Sequence, residues 1–204
     1  MPAVYAACKV AQFSFPLLWV SLNRRIPPSR VSSASGGLLL GALSGIVIVV
    51  LMWSVYLMAF KDGPLALAAE PRVASRIAAL GAASPGGFLA LTVFLSVFHS
   101  FLEEYYWRWF LFGRLRTHIG AMPANVLSSA AFTGHHVIVL HAFMGSGANG
   151  WLTAALSMGV ALAGMFWAWA YARSGSLVSP WLSHVLVDLG IMAIGYDVAG
   201  LSRS

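Results

Sequence analysis

The chain has 204 residues, of which 59% are apolar and 9% charged. An average soluble domain is roughly 45–50% apolar and about 25% charged, and a soluble fold of this size cannot hide so much apolar surface from water, which excludes a disordered chain, a nucleic-acid-binding domain and an ordinary soluble enzyme. The net charge of +6 comes from twelve Lys and Arg against six acids, scattered in short hydrophilic gaps, where basic residues set topology and meet anionic headgroups rather than nucleic acid.

Residues 3–22 are apolar but interrupted by Lys9 and Pro16. They read as a weak first span without the form of a signal peptide. Cys8, the one cysteine, leaves no internal disulfide framework and no thiolate metal cage. Arg24, Arg25, Pro27, Pro28 and Arg30 mark a loop. Gly36–Phe60 carries no charge and predicts a transmembrane helix, ended by Lys61-Asp62-Gly63-Pro64. Residues 65–82 mix Ala and Leu with Glu70, Arg72 and Arg76, as in a helix lying at the interface. Ser84-Pro85-Gly86-Gly87 breaks it.

From Phe88 the chain is apolar to Leu102, carries Glu103, Glu104 and Arg108, and continues apolar to Phe112, with Arg114 and Arg116 closing one long helix. Thr117–Ala172 holds no Asp, Glu, Lys or Arg and is long enough for two spans, with Gly145–Gly150 as the turn. Arg173-Ser174-Gly175 ends the second, and a last span runs from about Pro180 to Tyr196. The fold class is therefore an all-α transmembrane bundle of about six spans. Residues 1–83 hold the N-terminal spans and amphipathic segment; residues 84–204 hold the helices that carry the chemistry. The Lys/Arg balance of the loops mildly favours both termini outside the cytoplasm.

Three of the six acids, Glu103, Glu104 and Asp188, lie inside hydrophobic segments, as do His99, His135, His136, His141 and His184. Ionisable groups in the bilayer are costly, face the bundle interior and mark sites. Glu104 and Arg108 are i,i+4 and can pair on one helix face, mainly a structural role. Glu103 points about 100° away and is left without that partner, so burial can raise its proton affinity, as suits a general base. His184 and Asp188 share a face of the last span, and Phe132 and His136 repeat the spacing on the fourth. Three helices thus bring a carboxylate, two imidazoles and a further polar group to one cavity, a plausible site for water-driven attack on an amide. His99 lies one turn before Glu103 and can touch it. His135 and His141 read as packing or rim residues, His118 as a solvated loop residue, and Asp197 as topological. Trp107, Trp109, Trp167, Trp169 and Trp181 fit interface anchoring and packing.

Glu103-Glu104-Tyr105-Tyr106-Trp107-Arg108 resembles the EExxxR motif of the CPBP intramembrane proteases, the CAAX-prenyl-endopeptidase-like or ABI family. Phe132-Thr133-Gly134-His135-His136 resembles its FxxxH motif, and His184-Val185-Leu186-Val187-Asp188 its HxxxN or HxxxD motif. All three occur in order in separate hydrophobic segments, and the likeness spans roughly residues 84–196; the first 80 residues add little to it. The resemblance implies that Glu103 activates water, that Glu104, held by Arg108, orients the site, and that His136 shares the water or its proton. It places His184 and Asp188 where side chains stabilise the oxyanion. Family members often carry Asn at the last position; an ionised Asp cannot donate there, so Asp188 acts protonated or orients His184.

The implied function is an intramembrane endopeptidase acting on a membrane-bound peptide or protein tail, in a bacterial or archaeal membrane. Glu103, His136, His184 and Asp188 could ligate zinc, but the expected chemistry is metal-free and needs no cofactor. The alternative is a non-catalytic scaffold or immunity-type protein that binds a peptide or partner in the same cavity. Such a scaffold would be free to lose Glu103 or His136, and this chain has both. A proton-coupled transporter would also bury acids and histidines, but no inverted repeat is visible.

Overall fold

A computed structural model describes residues 2–23, 34–144 and 150–202. The expected loop around Arg24–Arg30 and most of the turn at Gly145–Gly150 lie outside the described residues. Seven helices and no strand occur among the described residues: α1 (Pro2–Asn23), α2 (Ala34–Val55, prolonged by a π-helical turn at Tyr56–Phe60), α3 (Pro64–Ala79), α4 (Pro85–Ile119), α5 (Ala121–Met144), α6 (Gly150–Ser174) and α7 (Val178–Val198). By length and composition, α2 from Gly37 to Phe60, α4, α6 and α7 can each cross a membrane. With α1 at 22 residues and α5 at 24, the six expected spans are accommodated.

Helix boundaries follow local chemistry. Asp62, at φ 58°, turns the chain out of α2, and Pro64 opens α3 at a position whose N–H needs no partner. Ser84 caps α4, its hydroxyl accepting from the Gly87 N–H at 3.2 Å. The sequence expectation that Arg114 and Arg116 close α4 does not hold. The helix runs on to Ile119 because nothing breaks it before Gly120, at φ 84°. His118 is accordingly a helical residue of the last turn, exposed, with Nδ1 donating to the Arg114 carbonyl at 2.9 Å. α7 begins at Val178 and ends at Val198, two residues beyond the predicted span at each end.

Packing sets the site. α2 lies along α7, where Gly41 and Gly45 permit close approach. A Cβ at Gly41 would stand 2.5 Å from the Ser179 carbonyl, and one at Gly45 2.7 Å from Leu186 Cδ1. Small residues allow this approach where apolar burial alone gives lipid-embedded helices no preference. α5 is tied to α6 by Asn125, whose Nδ2 donates to the Met165 carbonyl at 3.0 Å. At one end, α3 brings Ile77 against Ala82, Phe88 and Ala199, as an amphipathic helix covering the ends of α4 and α7 would.

α4 has 35 residues, about 50 Å at a helical rise of ~1.5 Å per residue. Glu103 and Glu104 sit near its middle. The short α-helical stretch Ser100–Glu104 is flanked by π-helical runs at Phe94–His99 and Tyr105–Phe112. Such wide turns often accompany functional sites because they re-aim side chains without breaking the helix.

Candidate active site

Two adjacent carboxylates are given unlike surroundings. Glu104 is fully buried and faces α6 and α7. Its Oε1 lies 3.1 Å from Arg108 Nη1 and accepts from His184 Nδ1 at 2.8 Å. The Arg108 side chain is 2% exposed, and its guanidinium stands over the rings of Phe132 (4.4 Å) and Trp167 (5.2 Å). Nη2 donates to the Gly164 carbonyl at 3.4 Å. Gly164 leaves the room: a Cβ there would meet Phe132 Cδ1 at 3.1 Å and Nη2 at 3.5 Å. Aromatic faces and one carboxylate thus offset the burial of this cation.

Glu103, with a side chain 3% exposed, faces α1 and α5. As the sequence spacing anticipates, Arg108 pairs with Glu104 instead and His99 reaches Glu103, which has further basic neighbours besides. Oε1 lies 3.2 Å from His99 Nε2, 3.7 Å from Lys9 Nζ and 3.8 Å from His135 Nε2. Oε2 lies 4.0 Å from His136 Nε2 and 4.0 Å from His184 Nε2. One oxygen is held by basic groups. The other faces two imidazole nitrogens across a gap too long for a direct hydrogen bond and suited to a bridging water.

Both imidazoles are aimed by their far nitrogens. His136 Nδ1 donates to the Phe132 carbonyl one turn back at 3.0 Å, with the rings 4.3 Å apart. His184 Nδ1 donates to Glu104, and the ring stacks on Trp167 at 4.0 Å and 21°. Trp167 is itself fixed by Nε1 donating to Ser183 Oγ at 3.1 Å. Each ring therefore presents Nε2 to Glu103, and the hydrogen bond at Nδ1 sets which nitrogen works. Asp188 Oδ1 stands 3.6 Å from His184 Nε2. The hydrogen bond at the other ring nitrogen of His184 is made to Glu104.

The side chains of Glu103, Glu104, Arg108, His136, His184 and Asp188 meet in one place, as the sequence spacing anticipates. Lys9 was not anticipated. His135 and His99 sit closer to the carboxylate than a rim or chance placement would, whereas His141 is exposed. Of the two roles expected of Trp167, packing is the one it takes, buried against the His184 ring. Asp197 is more than topological: it accepts from Tyr56 OH at 2.7 Å and Ser202 Oγ at 3.1 Å and pairs with Lys61 at 3.4 Å, tying α2 to α7.

Zinc was a second possibility at Glu103, His136, His184 and Asp188. Among the described residues, no group of three or more His, Cys, Asp and Glu side chains is arranged to hold a metal ion. His184 and His136 each commit Nδ1 to a protein acceptor and turn Nε2 toward Glu103 Oε2.

A family model described as type II CAAX prenyl endopeptidase Rce1-like matches residues 85–190. The chain belongs to this family. The matched stretch takes in α4, α5, α6 and α7 as far as Gly190, with every residue of the three motifs. No curated protein and no solved structure matches the chain. Family membership and the long apolar helices make this an integral membrane protein of a protease family.

Proposed function

We propose that the protein is an intramembrane endopeptidase that hydrolyses a peptide bond in a membrane-associated peptide or protein tail, with Glu103 as the base. The observation that carries this reading is the split of the Glu103 carboxylate: Oε1 is anchored, and Oε2 faces His136 Nε2 and His184 Nε2 at 4.0 Å each. A water among these three atoms is held by all of them. Glu103 Oε2 takes its proton as the water oxygen attacks the scissile carbonyl. His136 Nε2 accepts the second hydrogen and fixes the direction of attack.

The negative charge then grows on the carbonyl oxygen. His184 Nε2 and the Asp188 side chain lie beside that position. A proton on either donates to the oxyanion. The proton on Glu103 passes to the leaving amine as the tetrahedral intermediate collapses, leaving a new carboxylate and a new amine. Glu104 and Arg108 touch none of the reacting atoms; they hold the His184 ring at the angle this step requires. No step is routed through a metal. The family description makes a C-terminal CAAX tail carrying a prenyl group the first substrate to try.

The test is cleavage of an S-farnesyl CAAX peptide in H2¹⁸O by purified protein, with and without a chelator. One ¹⁸O in the new C-terminal carboxylate, chelator or not, is the expected product. Loss of activity on chelation with recovery on adding zinc would overturn the metal-free step. Binding without any cleavage, by a protein that holds the peptide stoichiometrically, would favour the scaffold.

A further inference from the structure

The family-matched core does not complete this site by itself. We propose that Lys9, on α1, is a positioning residue of the hydrolytic centre: itself held by His135, it anchors Glu103 Oε1 and leaves Oε2 free to work on the water. The inference rests on the reading of Glu103 given above and adds to it a helix outside the matched residues 85–190.

Three observations carry it. First, Lys9 is placed as a link: Nζ donates to His135 Nε2 at 3.0 Å and lies 3.7 Å from Glu103 Oε1. It joins α1 to α4 and α5 at the one carboxylate oxygen that does not face His136 and His184. Second, its side chain is only 13% exposed, although an ammonium in a lipid-facing helix would ordinarily snorkel to the interface. Here it turns inward to a buried carboxylate, and Arg108, the other buried cation nearby, is already engaged by Glu104.

Third, α1 has an inner face built around it. Phe13 meets the His99 ring edge-on at 6.1 Å, and Pro16 is buried one turn further on. Phe15 packs on Phe110 at 5.6 Å. Val10, Leu17, Leu18 and Leu22 point away and are exposed. Lys9, Phe13 and Pro16 follow helical spacing, so a docked α1 delivers the ammonium to Glu103 and an undocked one withdraws it. His99, on the same helix as Glu103, lies 3.2 Å from Oε1; Lys9, held by His135, adds a charge from a second helix that resists rotation of the carboxylate.

The experiment compares wild type, Lys9→Met, Lys9→Arg, Val10→Ala and Glu103→Gln on an internally quenched S-farnesyl CAAX peptide. Lys9→Met keeps the apolar stem and removes the charge. It lowers kcat on the order of 10- to 100-fold, the usual cost of a misplaced catalytic group, with KM little changed, as a positioning role requires. Lys9→Arg restores most of the rate, and Val10→Ala, on the lipid face, keeps all of it. Lys9→Met at the wild-type kcat beside an inactive Glu103→Gln overturns the role of Lys9 alone. So does a loss that Lys9→Arg fails to relieve, or one that falls on KM. Glu103→Gln cleaving like wild type overturns the Glu103 reading and Lys9 with it. If wild type leaves this peptide whole, thermal unfolding of Lys9→Met, Glu103→Gln and the double variant decides the pairing. The double then loses less Tm than the two singles summed; strictly additive losses overturn it.

Discussion

Two carboxylate–cation pairs in this molecule have nearly the same geometry and opposite consequences. At the end of the bundle, Asp197 and Lys61 stand 3.4 Å apart with side chains 19% and 37% exposed. In the middle of α4, Glu104 and Arg108 stand 3.1 Å apart with side chains 0% and 2% exposed. Water screens the first pair, so it fastens two helix ends and contributes little else. Nothing screens the second, and each member is tolerable only because the other is there. Depth, more than contact distance, turns an ion pair into a fixed support on which the His184 ring is aimed.

The sharpest way to break the comparison is to remove one cation from each pair. Arg108→Met leaves Glu104 buried and uncompensated. It should cost about 3–5 kcal/mol of stability, seen as a large drop in Tm in detergent or as protein that fails to accumulate in membranes. Gly164→Ala presses a methyl group against Phe132 and the guanidinium. It should cost about 1–3 kcal/mol and lower kcat more than it raises KM, because the Arg108–Glu104–His184 chain shifts as a unit. Asp188→Asn replaces a carboxyl beside His184 Nε2 with an amide of similar shape that can donate. Most of the rate should remain in steady-state assays, and a loss as deep as that of His136→Ala would show that a carboxylate is needed. Lys61→Met should change stability by less than about 1 kcal/mol and leave kcat unaltered, even though the pair it breaks looks much like Arg108–Glu104.

The bundle and most of the site could be read before any coordinates because their signals are local. Long uncharged runs announce α2, α5 and α6, and Glu104–Arg108 and His184–Asp188 each sit one helical turn apart on a single helix. What escaped reading is what depends on how helices meet. Lys9 appeared only as an interruption of a weak span, since nothing in residues 1–23 points to Glu103 or to His135 on α5. His135 and His136 are neighbours in the chain, and which ring faces which carboxylate oxygen depends on the pose of α5 against α4. The π-helical runs around Glu103 have no signature in the hydrophobic pattern, and Gly164 looks like any small residue of an apolar helix until Arg108 is placed beside it.

The division of labour between the two glutamates is tested most directly by one comparison: single-turnover cleavage of an S-farnesyl CAAX peptide by wild type and by Glu103→Gln, each first shown to be folded and to bind the peptide. A glutamine at this position keeps the shape of the side chain but loses its charge and cannot take the proton from water. Cleavage by wild type, with a loss of about 10²- to 10⁴-fold in Glu103→Gln at unchanged peptide affinity, is the expected result. Equal rates from the two proteins would contradict it.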